Sequence, residues 1–258
     1  MNKILLLMLL VLATVLGTCS KDNDDDIRRG ANGERLVSKI IEHDNKYGDD
    51  IYTFYYDKQG RIEKIINTGN DLEEGESYVY TTTYTFTGSQ LISKCVNGDD
   101  IYTVTYTLNS KGFVTKATDK EEYRNENDQQ QESTNYTYDE NDQLIQTVQN
   151  GGYTTLYTWS NGNLIQEARP GETNIYSYIG DENKSNFDFG AFYFGCESYD
   201  LVEMLGYKGK CSKNLLKHDG RMRRSYNYTF DDEGVVTQIK EHYDNDDTHL
   251  CIYTIEYK

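Results

Sequence analysis

One unit is restated along this chain from residue 33 onward: an alternating strand rich in Tyr and Thr, a short turn of Asp, Asn and Gly, then a second alternating strand. The clearest copy is IYTFYYDKQGRIEKII, Ile51 to Ile66, and others run over Tyr78–Val96, Ile101–Ala117, Asn135–Val148, Tyr153–Ala168 and Tyr226–Lys240. Turn glycines recur at Gly33, Gly60, Gly88, Gly112 and Gly162, at a spacing that signals a modular array. Asp57, Asp139 and Asp231 are placed to bond backbone N–H groups two residues on, and Gly60 and Gly234 to take positive φ. Tyr, Thr, Val and Ile fit a pleated, half-buried surface, so each copy reads as a β-hairpin, six or seven in all. Alternation divides the faces: Tyr102, Val104, Tyr106 and Leu108 share one, and Thr103, Thr105 and Thr107 the other.

Successive hairpins with short connections make an antiparallel meander of about 15 strands, more than a twisted open sheet usually holds without curling or closing. The expected fold is all-β: a large soluble barrel, closed or nearly so, over residues 33–258. Its outward row of Thr, Lys, Glu and Gln does not supply the apolar band that a lipid-facing barrel needs. The rhythm breaks once, between Gly180 and Gly220. There Phe189, Phe192, Tyr193, Tyr199, Val202 and Leu205 fall at helical spacing, with Ser198 as N-cap and Gly206 as stop, which predicts one helical insertion near 186–206 that plugs an end or lines the interior. Only 36% of residues are hydrophobic, but 24 are Tyr, so tyrosine must do much of the packing.

Residues 1–18 read as a signal peptide: Lys3 gives a positive start and Ile4 to Leu16 an apolar stretch too short to cross a bilayer core of about 30 Å. Leu16-Gly17-Thr18-Cys19 resembles a bacterial lipobox, which implies lipidation of Cys19 and a mature chain starting there. The following Ser20, Lys21, Asp22, Asn23, Asp24, Asp25 and Asp26 resemble the acidic export signal with which Gram-negative gut anaerobes display lipoproteins on the cell surface. Residues 19–32 then serve as a tether, and the expected location is the outer membrane, lipid-anchored and facing the exterior. A net charge of −17 disfavours nucleic acid and anionic lipid as partners. Of the other four cysteines, Cys196 and Cys211 bracket an apolar segment and are the best candidate disulfide, with buried thiols the alternative.

Tyr56-Asp57-Lys58-Gln59-Gly60-Arg61-Ile62 resembles the YD repeats of large bacterial surface and toxin shells. The whole mature chain is more similar to an uncharacterised surface-lipoprotein family of gut anaerobes, through the lipobox, the hairpins, Asn186-Phe187-Asp188, and Gly209-Lys210-Cys211-Ser212-Lys213-Asn214-Leu215. That resemblance implies a domain of unknown function with a porin-like β-barrel fold, and it brings no catalytic residues.

The residues themselves offer little chemistry. There is no G-x-S-x-G elbow, and His43, His218, His242 and His249 lie at strand ends or turns. Gly206-Tyr207-Lys208-Gly209-Lys210 lacks the first glycine of a phosphate loop, and Asp22, Asp24 and Asp26 are followed by Ile27 where a calcium loop needs glycine. His242, Asp244, Asp246, Asp247 and His249 could hold a cation if they converged; an ordinary solvated turn is the simpler reading. The single tryptophan, Trp159, sits in a strand beside a turn, where packing is the expected role. With no zinc spacing and no nucleotide motif, no cofactor or metal is expected. The reading favoured is a non-enzymatic surface lipoprotein that binds a glycan or peptide, or a structural module contacting another surface protein. The alternative is a carbohydrate-active hydrolase using paired carboxylates.

Overall fold

The computed structural model describes residues 35–71, 75–98, 100–122, 131–185, 187–189 and 201–258. Sixteen strands follow one another as β1 (Val37–Asp44), β2 (Gly48–Tyr56), β3 (Ile62–Asp71), β4 (Glu76–Thr87), β5 (Gln90–Asn97), β6 (Asp100–Leu108), β7 (Val114–Glu122) and β8 (Gln131–Tyr138). The second half continues with β9 (Leu144–Gln149), β10 (Thr154–Ser160), β11 (Asn163–Arg169), β12 (Glu172–Glu182), β13 (Asn214–Asp219), β14 (Arg224–Phe230), β15 (Val236–Tyr243) and β16 (Asp246–Tyr257). Each strand pairs antiparallel with its sequence neighbours, and β1 closes on β16 with Ile40 opposite Ile255. The barrel is therefore closed, with one strand more than the repeat suggests. Six-residue β13 lies inside the break in the rhythm.

The turns that follow β2, β6, β8 and β14 share one local cause. In the first, Asp57 Oδ1 accepts from the N–H of Gln59 (2.8 Å) and Arg61 (3.0 Å), and Gly60 sits at φ 78°. Asp139 and Asp231 repeat the pattern as the sequence predicts, and Asn109 adds a fourth copy. In the Asp139 turn the positive-φ position is held by Asp142, at 65°.

Beside these turns the strand-end tyrosines form a belt. The hydroxyls of Tyr56, Tyr138, Tyr178, Tyr228 and Tyr257 donate to the carbonyls of Val37, Val114, Leu164, Leu216 and Val236, at 2.5–2.8 Å. Trp159 fills the same place, its Nε1–H donating to Leu144 O at 2.7 Å. Each ring thus buries its apolar body in the barrel while its polar tip satisfies a strand-end carbonyl, which is why this end of the array selects tyrosine.

Inside and outside follow the alternation. Val104, Tyr106 and Leu108 are buried in the interior, whereas Thr103, Thr105 and Thr107 face out. Thr83, Lys94, Asn135 and Lys240 hold outward positions, and among them Val79, Leu156 and Ile175 also face out, so the outer wall is mixed.

A sixteen-strand barrel is too wide for strand side chains alone to fill. The connection from β12 to β13 closes one mouth. Within it Phe187, Phe189, Val202, Met204, Leu205 and Tyr207 are buried, Phe187 meets Phe54 of β2 edge-on at 5.7 Å, and Tyr207 meets Phe86 of β4 at 5.9 Å. Its backbone is stitched to the rim: Val114 N–H donates to Tyr207 O (2.8 Å), Lys210 N–H to Asp142 O (2.9 Å) and Lys213 N–H to Gly162 O (2.9 Å).

The predicted plug is therefore present, and of the helical insertion expected near 186–206 the described residues hold only its ends. Asn186 and residues 190–200, with Phe192, Tyr193, Ser198 and Tyr199, lie outside them. Over Leu201–Tyr207 the chain makes a single helical turn, Leu205 N–H to Leu201 O at 3.2 Å. Gly206 ends it at φ 71°, with Gly206 N–H bonding Glu203 O and Tyr207 N–H bonding Val202 O, the closing pair of a Schellman motif. The rim bonds this segment too, Val114 N–H donating to Tyr207 O. A separate 3-10 turn spans Asn150–Gly152.

Candidate binding sites

Beneath the plug, on the β9–β13 side, lies a cavity of about 220 Å³. Tyr157 and Trp159 of β10 and Tyr176 and Tyr178 of β12 line it from the wall, while Asp188, Glu203 and Lys208 reach it from the plug. Tyr178 OH of the wall lies 3.0 Å from Ser212 Oγ of the plug connection, and within the plug Glu203 pairs with Lys208 at 3.2 Å. Glu167 accepts from Tyr176 OH at 2.8 Å and pairs with Arg169 at 2.9 Å. Burial, and after it the charge of Glu203, pushes the Tyr157 phenol up; burial and Glu167 do the same to Tyr176. Both phenols are thus neutral donors at neutral pH. Arg221 also lines the cavity, and its buried Nε has no hydrogen-bond partner. The arrangement offers flat aromatic faces with hydroxyl, carboxylate and guanidinium groups between them, a mixture that suits a polyhydroxylated ligand.

A second group lies toward the other mouth. Glu42 and Asp44 of β1, Asp50 of β2, Glu241 of β15 and Cys251 of β16 all point inward. Asp50 accepts from Tyr78 OH at 2.6 Å, over Gly69, whose lack of a side chain makes the room: a Cβ there would stand 2.1 Å from Asp50 Oδ1 and 2.4 Å from the Tyr78 ring. Burial, then the charge of Asp50, raises the Glu42 carboxyl to about 7. Asp50 and Glu241 are raised as well, chiefly by burial. Glu42, Asp44 and Cys251 bring ligand atoms within 4.8 Å of one another. The Cys251 thiol donates to Glu42 Oε1 at 3.4 Å, however, and Asp44 is spent on the N–H groups of Lys46 and Tyr47 and on His249 at 2.8 Å. Glu42 Oε2 is sealed from solvent without a hydrogen-bond partner.

The residues singled out in the sequence are scattered by the fold. Cys19, Ser20, Lys21, Asp22, Asn23, Asp24, Asp25, Asp26 and Cys196 lie outside the described residues. Cys211 lies beside Trp159 in an open groove at the plugged end. The five candidates of the last hairpin do not converge: His249 turns inward to Asp44, Asp244 pairs with His218 at 2.9 Å, Asp246 caps Thr248, and His242 and Asp247 are exposed. Sequence reasoning missed Glu42, Asp50 and Glu241. Their signal was phase, since each lies in the same parity as a buried apolar neighbour: Ile40, Tyr52 and Ile239.

Fold and cavity together define a plugged, closed β-barrel with an aromatic interior chamber. The chain belongs to the family described as a domain of unknown function (DUF4595) with porin-like fold, whose model matches residues 54–238. It is similar in structure to a porin-like protein from Bacteroides uniformis ATCC 8492, with a TM-score of 0.66 at 19% identity over 85% of this chain and 98% of that one. A porin-like protein from Bacteroides vulgatus ATCC 8482 matches with a TM-score of 0.55 at 15% identity, over 86% of this chain and 99% of that one. No curated protein matches the chain. The family carries no assigned activity, and a porin-like barrel is consistent with association with an outer membrane.

Proposed function

We propose that this protein is an outer-membrane lipoprotein, anchored through Cys19 and displayed on the cell exterior, that binds a glycan unit in the cavity beneath the plug without transforming it. The observation that carries the reading is the cavity itself, where four aromatic rings from two strands face carboxylate, amine and guanidinium groups across a space of about 220 Å³. Aromatic faces stack on the C–H faces of sugar rings, and the polar groups between them suit hydroxyls. The anchor rests on Leu16 to Asp26, which resemble a lipobox and an acidic export signal. A protein partner for a merely structural barrel would need no such chamber.

The test is a glycan-array screen of the purified protein, with hits checked by thermal shift, because ligand bound to the native state raises apparent stability. A hit that Tyr157→Ala and Glu203→Gln both weaken supports the reading, provided both variants stay folded by circular dichroism. A blank array, or a hit that neither variant alters, overturns it. Cleavage of the bound glycan would establish the hydrolase alternative instead. The anchor is tested separately: Cys19→Ala should move the protein from the membrane to the soluble fraction, and retention in the membrane would contradict it.

A further inference from the structure

The mouth opposite the plug carries a groove unlike the chamber. It measures about 410 Å³ and is framed by three turns, contributing Lys46 and Tyr47, Met222 and Arg223, and Asn245 and Asp246. Its floor is a stack: Tyr243 lies on His249 at 3.9 Å with the rings 7° from parallel, and Tyr47 meets His249 edge-on at 5.4 Å. Asp44 fixes His249 from below, and Arg224 covers the Tyr243 ring at 4.8 Å while pairing with Glu241 at 3.1 Å. Tyr47 and Met222, two of the chain's exposed large apolar side chains at 49% and 37%, both face this groove.

Charge and backbone point the same way. In a chain of net charge −17, the groove gathers Lys46, Arg223 and Arg224. Glu241 offsets Arg224, and Asp246, turned into its own hairpin by Thr248, offsets one of the others. Asp244 is engaged by His218 and Ser225. Asp244 lies in the field of Arg223 and Asp246 in that of Lys46, so the groove is close to neutral on an acidic molecule, but the Arg223 guanidinium makes no direct ion pair with a described residue. Arg223 also adopts φ 53°, the left-handed region that glycine occupies without cost and a long side chain does not. Strain of this kind persists where a side chain is needed for something besides the turn.

We propose that this rim groove binds a carboxylate-bearing sugar, a uronic acid residue at the end of or within a glycan, with the sugar ring on Tyr47 and its carboxylate on the Arg223 guanidinium. An aromatic face beside a planar, forked cation matches the two ends of such a residue, one apolar and one anionic. The site is separate from the chamber beneath the plug and does not depend on it.

The measurement is calorimetric titration of the purified protein with a galacturonic acid trimer, with neutral galactose trimer and inorganic phosphate as controls. The acidic trimer should bind, and both controls should bind about tenfold or more weakly. Arg223→Gly, which relieves the positive φ, should lower affinity for the acidic trimer about tenfold while the Tm holds or rises. Tyr47→Ala should weaken binding, and Tyr157→Ala, in the chamber, should leave it unchanged. Equal binding of the neutral trimer, binding of phosphate as tight as that of the trimer, unchanged affinity in Arg223→Gly, or loss of binding in Tyr157→Ala would each overturn the assignment.

Discussion

The two mouths of this barrel are built from the same alternating strands and solve opposite problems. At the plugged mouth, side-chain oxygens of Asp57, Asn109, Asp139 and Asp231 fold the turns, tyrosine hydroxyls reach back to strand-end carbonyls, and a segment rich in phenylalanine seals the interior. At the open mouth the inward positions are Glu42, Asp44, Asp50 and Glu241, and the turns present Tyr47 and Arg223 to solvent. Carboxylates in turns and carboxylates in the interior titrate in opposite directions. Backbone N–H groups of Val235 and Glu233 hold the Asp231 carboxyl below its usual value, whereas burial lifts Glu42, Asp50 and Glu241 above theirs. One end holds the barrel together, and the other carries buried charge at a cost to stability.

The largest test of that contrast is Phe187→Ala. Phe187 is fully buried against Phe54 and Phe189, and its loss should destabilise the protein by about 3–5 kcal/mol in urea unfolding, the range for deleting a core aromatic ring. A loss below about 1 kcal/mol would mean that the plug merely covers the mouth.

The acidic end should show itself in pH dependence. Glu42 has a folded value of about 7 against 4.5 unfolded, so the folded state holds the proton more tightly. Its favourable contribution is complete below about pH 4.5 and is lost as pH rises through 7, amounting to roughly 2–3 kcal/mol between pH 5 and 8. Asp50 and Glu241 act with the same sign. Glu42→Gln should flatten the profile and stabilise the protein at pH 8; a profile that rises with pH would contradict the assignment.

Gly69→Ala comes next. The added Cβ would displace Asp50 from Tyr78, at a cost of about 2 kcal/mol by the usual overpacking range, read from the urea midpoint. Tyr257→Phe is the smallest, removing one belt hydrogen bond for about 1 kcal/mol by thermal melting.

Most of the frame was legible in the sequence because hairpins are local. The parity that puts Val104 and Tyr106 inside, the side-chain bonds of Asp57, Asp139 and Asp231, and the stop at Gly206 all depend on residues within a few positions of one another. One strand, β13, is hard to read because it is six residues long and lies inside the break in the repeat. The docking of the plug is not legible because its partners are distant: Val114, Asp142 and Gly162 of the rim bond its backbone, and no local pattern announces them. The acidic group was obscured for another reason. With 43 acids in the chain, Glu42 and Glu241 look like any other outward charge until barrel closure brings β15, β16 and β1 side by side.

Hydrogen exchange resolved along single strands tests the contrast most directly, because each strand runs from one mouth to the other. In β6 and β7, amides of Val104–Leu108 and Val114–Ala117, under the plug, should exchange near the rate of global unfolding. Those of Ile101–Thr103 and Thr118–Asp119, toward the open mouth, should exchange faster through local opening. Uniform protection along these strands, or slower exchange at the open mouth, would contradict the account.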